Sequence, residues 1–433
     1  VPTRILVRRD TTAGWLKTNP VLEPGEPGYD LTSGHAFWGD GSTRYDALPK
    51  TAIAPAGRSF ASVDDSTGLF NEHVMDALGG TLIPRSEAVR ITAATLPTWA
   101  RKRQLVELRQ APARILCVGD STTAGVFSDS YSTAVGTPNQ GGPNAYPARL
   151  AAYLTARGIP AVVGMAIPGH PGNEDSRWSG GLAYSGGNIG AGAASALSMT
   201  NAGLNPALTP GVKADTYVVY FFGDSGTGTI SAQATGGTST TINTTRSAGG
   251  IYKATVMAGT ASASNVLTLT WSSGSSFILG VEFYDSTNPN VVRVLPAGVG
   301  GSQANQWANA ASTTSYGGQA FISAVAADLT VISLGINDAA AGRTAAQVLT
   351  DVRTLASKAA PSGDVLLMSA FPHSGPTPLD AVNAAFYLSA FPYVDLAFRY
   401  GYNMVKWGLM TVDQTHPNAL GYGDAALTLS RAL

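Results

Sequence analysis

Arg114-Ile115-Leu116-Cys117-Val118-Gly119-Asp120-Ser121-Thr122-Thr123-Ala124-Gly125 is the stretch on which the reading of this chain turns. Ile115 to Val118 is an unbroken apolar run closed by Gly119. A strand without polar alternation is one covered on both faces, as in a parallel sheet flanked by helices. The hydroxyl-rich segment that follows then sits at a strand's carboxyl end, where open α/β sheets hold their ligands. Outward from this point the rhythm repeats. A helix is expected from Pro147 to Arg157, with proline at its start and Gly158 as its stop. Apolar strands are expected at 161–167, 329–334 and 364–369, and a helix over about 343–358. Strands alternating with helices predict an α/β fold with a doubly wound parallel sheet.

Residues 176–295 break that rhythm with short Thr/Ser/Val-rich runs between glycine-rich turns, among them Tyr217-Val218-Val219-Tyr220 and Val266-Leu267-Thr268-Leu269-Thr270. This pattern reads as a β-sandwich or jelly roll inserted into the sheet domain, whose two parts are 111–175 and 296–433. The ends of such an insertion must lie close together. Residues 1–50 read as a small β-rich module with too little apolar material for a core of its own, and 51–110 as a linker holding a helix near Trp99 to Arg109.

Composition removes several function classes. The 433 residues carry 27 basic and 28 acidic side chains, a net charge of −1, so no global field draws the chain onto nucleic acid or an anionic membrane. Charged residues are 13% of the chain, against about 25% in an average protein. The surface is therefore expected to be rich in Ser, Thr, Asn, Gly and Ala. The one cysteine, Cys117, lies inside the apolar run, which predicts core packing and excludes an intramolecular disulfide or a thiolate metal cluster. No run of about 18 apolar residues occurs, so membrane insertion is not expected. Val1-Pro2-Thr3-Arg4 does not read as a signal peptide, and the start without Met reads as trimmed.

Four pieces carry chemistry. Ser121 is a candidate nucleophile at the end of the first parallel strand, but a serine hydroxyl needs a base within hydrogen-bond reach, itself oriented by a third group. The chain supplies a control, because Gly223-Asp224-Ser225 repeats the tripeptide between two β-runs, where a hairpin turn is expected. Of five histidines only His416 has a suitable companion: in Asp413-Gln414-Thr415-His416 one turn can aim the carboxylate at the ring's far nitrogen. His35, His73, His170 and His373 read as surface or turn residues, His373 as one that could border the cleft. Asn337, in Gly335-Ile336-Asn337-Asp338 after the 329–334 strand, can donate an amide N–H to a developing oxyanion or close the strand as a turn. No His/Asp/Glu cluster has metal-ligand spacing, so neither a metal nor another cofactor is expected.

In order and spacing these pieces resemble the SGNH (GDSL-type) hydrolase family, over 111–433 apart from the insertion. The resemblance implies a flavodoxin-like hydrolase domain, with Ser121 as nucleophile, His416 as general base and then acid, and Asp413 as its orienter. It also implies an oxyanion hole of the Ser121 N–H, Asn337 and a glycine N–H. For that glycine the sequence offers Gly301, in Pro296-Ala297-Gly298-Val299-Gly300-Gly301, and as the alternative Gly169; Gly301 fits the family's cadence better. The order is also similar to SGNH O-acetylesterases with a carbohydrate-binding-like jelly roll before the glycine block. Trp271, Tyr252 and Trp307 are then candidates for stacking on sugar, or else core residues.

The segment from Arg4 to Pro49, with NPVL, GEPG and GDGSTRY, resembles the short module at the N-termini of bacteriophage tail-fibre and tail-spike proteins. That resemblance implies a virion protein, a homotrimer partnered by other tail proteins, acting outside the cell on bacterial surface glycan. The joint expectation is a tail-associated serine esterase removing ester, foremost O-acetyl, groups. The alternatives are a non-catalytic receptor-binding adhesin on the same domains, or a lipase or thioesterase for longer acyl chains.

Overall fold

The structure is a computed structural model that describes residues 8–24, 26–30, 35–48, 51–52, 59–63, 70–74, 89–90, 95–129, 141–170, 173–188, 194–309, 317–372, 378–400 and 404–433. The chain divides into two compact units, Val1–Arg85 and Ser86–Leu433.

The first unit holds a four-stranded sheet of Arg8–Asp10, Pro27–Asp30, His35–Trp38 and Thr51–Ala52. Between its first two strands runs a helix, Thr12–Thr18, where short strands were expected. The Thr11 hydroxyl caps it by accepting the Gly14 N–H at 3.1 Å. The helix turns Trp15 inward against Phe37 and Tyr45, with ring centroids 5.0 and 5.2 Å away. With Leu22 and Leu48 these rings form a small core, which the sequence reading did not foresee for so short a segment. Asp30 is buried beneath it and accepts hydrogen bonds from the Thr12 and Tyr45 hydroxyls.

The second unit is built on a seven-stranded sheet in the order Ala161–Val163, Val292–Gly298, Ala113–Gly119, Leu329–Ser333, Asp364–Met368, Tyr393–Val394, Val89–Arg90. All neighbours are parallel except the last pair. The Ala113–Gly119 strand alternates between two cores. Leu116 and Val118 face the side covered by helices Gly318–Val325, Ala345–Ala359 and Pro378–Tyr387. Ile115 and Cys117 face the side covered by Pro97–Glu107, Tyr146–Ala156 and Ala419–Ala432. That two-sided burial is why the run is apolar throughout, and Cys117 is fully buried within it.

Two elements of this unit fall inside the stretch read as a linker. Val89–Arg90 is the sheet's edge strand, and in helix Pro97–Glu107 the buried Trp99 donates its indole N–H to the Leu433 carbonyl at 3.1 Å. The linker is thus shorter than 51–110 at its C-terminal end.

The insertion is a sandwich of two antiparallel sheets over one core. The six-stranded sheet runs Tyr184–Asn188, Ala194–Met199, Ser276–Tyr284, Ala214–Gly223, Gly250–Ser262, with Met165–Ala166 also on Ser276–Tyr284. The five-stranded sheet runs Trp178–Ser179, Ala207–Leu208, Leu267–Ser273, Thr229–Ala234, Thr240–Asn243. Tyr217, Val219 and Phe221 point to the sandwich core, while Tyr220 and Phe222 point to the core of the parallel sheet. Glu282, 2% exposed, ties the layers by accepting from the Tyr220 hydroxyl at 2.9 Å and pairing with Arg293 at 2.9 Å. The limits read from the sequence shift accordingly. Gly164 ends one strand, so that Met165–Ala166 already pairs with the insertion, and Val292–Gly298 belongs to the parallel sheet rather than to 176–295.

Candidate active site

Three adjacent parallel strands deliver the site at their carboxyl ends. Gly119 is in register with Gly298 on one side and Ser333 on the other, so the loops carrying Ser121, Gly301 and Asn337 leave the sheet at one level. Ser121 opens a four-residue helix, Ser121–Ala124, that is capped by the Asp120 carboxylate accepting the Thr122 N–H at 2.9 Å. Gly298 permits the packing: a Cβ there would lie 2.1 Å from the Ala124 nitrogen. At the start of a helix the N–H groups have no intrahelical acceptor, and no hydrogen bond among the described residues uses the Ser121 N–H.

His416 arrives from the loop before the C-terminal helix. That loop is closed by the Thr411 N–H on the His416 carbonyl at 2.9 Å and by the Asn418 N–H on the Leu409 carbonyl at 3.0 Å. Asn418 then caps the helix through the Leu420 and Gly421 N–H groups. Within the loop Gln414 takes a left-handed backbone, φ 55°, and the turn folds Asp413 back on His416. One Asp413 oxygen accepts the His416 Nδ1–H at 2.6 Å, and the other accepts from the His416 N–H, the Thr415 N–H and the Thr411 hydroxyl. Partial burial works against the Asp413 charge, but these hydrogen bonds, the His416 ring foremost, outweigh it and hold the carboxyl well below the usual carboxylate range. An ionised carboxylate only accepts, so the imidazole proton sits on Nδ1 and Nε2 is left as an acceptor. Nε2 lies 2.8 Å from the Ser121 hydroxyl. The sequence-predicted Ser121, His416 and Asp413 are therefore brought into one hydrogen-bonded line. The Ser121 side of this line is buried, at 8% exposure, while the His416 side chain is 16% exposed.

Asn337 lies in the first turn of helix Ile336–Ala340 and donates one amide N–H to the Ser302 carbonyl at 3.0 Å. No described residue accepts its second amide N–H. Ser302 is fixed from below, its hydroxyl donating to the Gly119 carbonyl at 3.2 Å and accepting the Trp307 indole N–H at 3.0 Å. Asp338, fully buried, accepts the Ala304 N–H at 3.0 Å and pairs with Arg343. These contacts hold the 299–304 loop beside the Ala113–Gly119 strand. Gly301 is exposed at its tip with φ 73°, and a Cβ there would meet nothing within 4 Å. No hydrogen bond among the described residues takes its N–H. Gly169 instead pairs with Glu174 in a two-residue ladder at the start of the insertion.

Other expectations find different places. Ser225 is exposed in a turn, but Ala214–Gly223 and Thr229–Ala234 belong to opposite sheets, so the second Gly-Asp-Ser crosses the sandwich rather than closing a hairpin. Trp307 is buried under the 299–304 loop. Tyr252 and Trp271 are partly buried against the sandwich core, with the Arg246 guanidinium 4.9 Å from the Tyr252 ring centre. His373 lies outside the described residues. The roles of Ser302, Asp338 and Thr411 were not read from the sequence. Only Asp338 left a signal there, as an acid placed next to Asn337 in an otherwise apolar segment.

Among solved structures the chain is similar to one titled "Peptidoglycan O-acetylesterase in action", with 19% identity and a TM-score of 0.58 over 80% of this chain and 97% of that one. It is also similar to a member of the lipolytic protein G-D-S-L family from Veillonella parvula, with 16% identity over 32% of this chain and 79% of that one, TM-score 0.27. A family two carbohydrate esterase from Cellvibrio japonicus matches with 12% identity over 62% of this chain and 96% of that one, TM-score 0.23. Residues 5–43 match the family described as "Major tropism determinant N-terminal domain". A comparison with curated proteins found no match. The chain thus shares over most of its length the fold of the first of these structures, and residues 5–43 are similar to the tropism-determinant N-terminal domain.

Proposed function

We propose that the chain is a serine esterase of a phage tail that hydrolyses ester groups, foremost O-acetyl groups, on bacterial surface polysaccharide. The observation that carries this reading is the line from Asp413 through His416 to Ser121, with bonds of 2.6 and 2.8 Å. As His416 Nε2 accepts the hydroxyl proton, Ser121 Oγ attacks the acyl carbon and the carbonyl π-electrons move to its oxygen. Ser121 N–H, Gly301 N–H and the second Asn337 amide N–H surround that oxyanion. Collapse of the intermediate breaks the bond to the sugar oxygen, which leaves with the proton from His416. Water then gives His416 a proton as it attacks the acyl-enzyme, and acetate departs as Ser121 recovers its hydrogen. The Asp413 charge steadies the imidazolium in both half-reactions.

The substrate class rests on the likeness to a peptidoglycan O-acetylesterase. The place in a tail rests on residues 5–43. In the same reading the chain is a homotrimer bound to other tail proteins, and the sandwich is a jelly roll that holds glycan. The test is acetate release from O-acetylated surface polysaccharide by wild type, Ser121→Ala and Ser225→Ala. Loss in Ser121→Ala alone is the expected result. A wild type that binds cells yet releases nothing from any ester would replace this reading with the adhesin. Sedimentation at the mass of one 44.4 kDa chain would overturn the trimer.

A further inference from the structure

From Asp120 to Ser128 every residue is buried except Phe127, which is partly buried. Its backbone is left-handed, φ 61°, a region where a bulky side chain is a genuine outlier and glycine is the ordinary choice. The conformation is imposed from both sides. The buried Tyr422 hydroxyl donates to the Val126 carbonyl at 2.9 Å, and the Ser128 N–H donates to the Gly125 carbonyl at 3.0 Å. Strain held in place this way marks a side chain retained for what it does. Among the described residues its aromatic partner is the His416 imidazole, in a T-shaped contact with centroids 5.3 Å apart and planes at 75°.

We propose that Phe127 is a positioning residue for His416. The inference rests on the serine-esterase reading and deepens it. Hydrogen bonds to Asp413 and Ser121 hold the imidazole at its two nitrogens, within its own plane. A ring contact near a right angle adds a third restraint on the imidazole besides those two bonds. Phe127 lies three residues beyond the helix that Ser121 opens, in a turn tied by the Tyr422–Val126 and Ser128–Gly125 hydrogen bonds, so one short segment carries both Ser121 and the ring against its base.

The strained backbone makes the idea testable without unfolding the protein. Phe127→Gly and Phe127→Asn both suit a left-handed position, so each is expected to melt no lower than wild type. Each is expected to lose about ten- to a hundredfold in kcat on p-nitrophenyl acetate with KM unchanged, the penalty of a misaligned catalytic group. Phe127→Tyr should restore kcat. A kcat within twofold of wild type in the glycine and asparagine variants would overturn the proposal. So would a change confined to KM, which would mean that the ring touches substrate, or failure of both variants to fold, which would make it packing. Wild type and Ser121→Ala run alongside: if wild type has no activity to lose, the esterase reading falls instead, and if wild type is active while the Phe127 variants match it, only this inference falls.

Discussion

Asn337→Ala removes one amide and separates two of its jobs. One N–H binds the Ser302 carbonyl at 3.0 Å; the other is assigned to the oxyanion. Loss of a single oxyanion donor costs about 10²–10³ in kcat, or about 2.7–4 kcal/mol of transition-state stabilisation. Losing the structural bond orphans the carbonyl of Ser302, a fully buried residue, for about 1–3 kcal/mol of stability. Since a domain's total is about 5–15 kcal/mol, the variant stays folded. The assay is steady-state hydrolysis of p-nitrophenyl acetate together with a urea melt. The expected result is kcat down by about two to three orders of magnitude, KM nearly unchanged because the interaction exists only in the transition state, and a modest drop in midpoint. Asn337→Asp, equal in size but unable to donate, should be worse still. A kcat within tenfold of wild type in a folded Asn337→Ala would refute the assigned oxyanion hole.

Asp413→Asn keeps the shape of the loop but lets the imidazole take the wrong tautomer, and kcat should fall about 10⁴-fold while the fold persists. Asp338→Ala strands the buried Ala304 N–H and should cost about 1–3 kcal/mol in a urea titration, with a kcat loss that follows from the loosened 299–304 loop. Burial pushes the Asp120 carboxyl from 3.8 up to about 6, against the pull of its hydrogen bonds to Thr122. The folded state therefore holds this proton more tightly than the unfolded chain, so wild-type stability should fall relative to Asp120→Asn as pH rises from about 4 to about 6. The full difference is about 3 kcal/mol, two pH units at 1.36 kcal/mol each. Parallel curves for the two proteins across that window would contradict this placement of the carboxyl.

The parallel sheet was legible because burial on two faces leaves a one-dimensional mark: Ile115 to Val118 must all be apolar whatever follows. The Asp413–His416 contact was legible because the two are three residues apart, so it is local. Ser121 and His416, 295 positions apart, could be paired only by asking which histidine has a carboxylate companion and by the likeness to a known family. What stayed hidden depends on contacts of long sequence separation or on backbone angles. Helix Thr12–Thr18 rests on a cap and on Trp15 meeting Phe37 and Tyr45, a tertiary choice over strand propensity. Ser302 works through Gly119, Trp307 and Asn337, and nothing in its own neighbourhood announces them. Phe127 reads as an ordinary apolar residue until its φ is known. The insertion's limits moved because Gly164 lets one apolar run serve two sheets, which periodicity along the chain does not reveal.

The most direct test of the central claim is to treat the protein with a fluorophosphonate and map the modified peptide by mass spectrometry. A single adduct on Ser121, formed at a rate that collapses in His416→Ala and with Ser225 left untouched, is the result this account predicts. No adduct in a folded wild type, or modification of Ser225 with Ser121 spared, would contradict it.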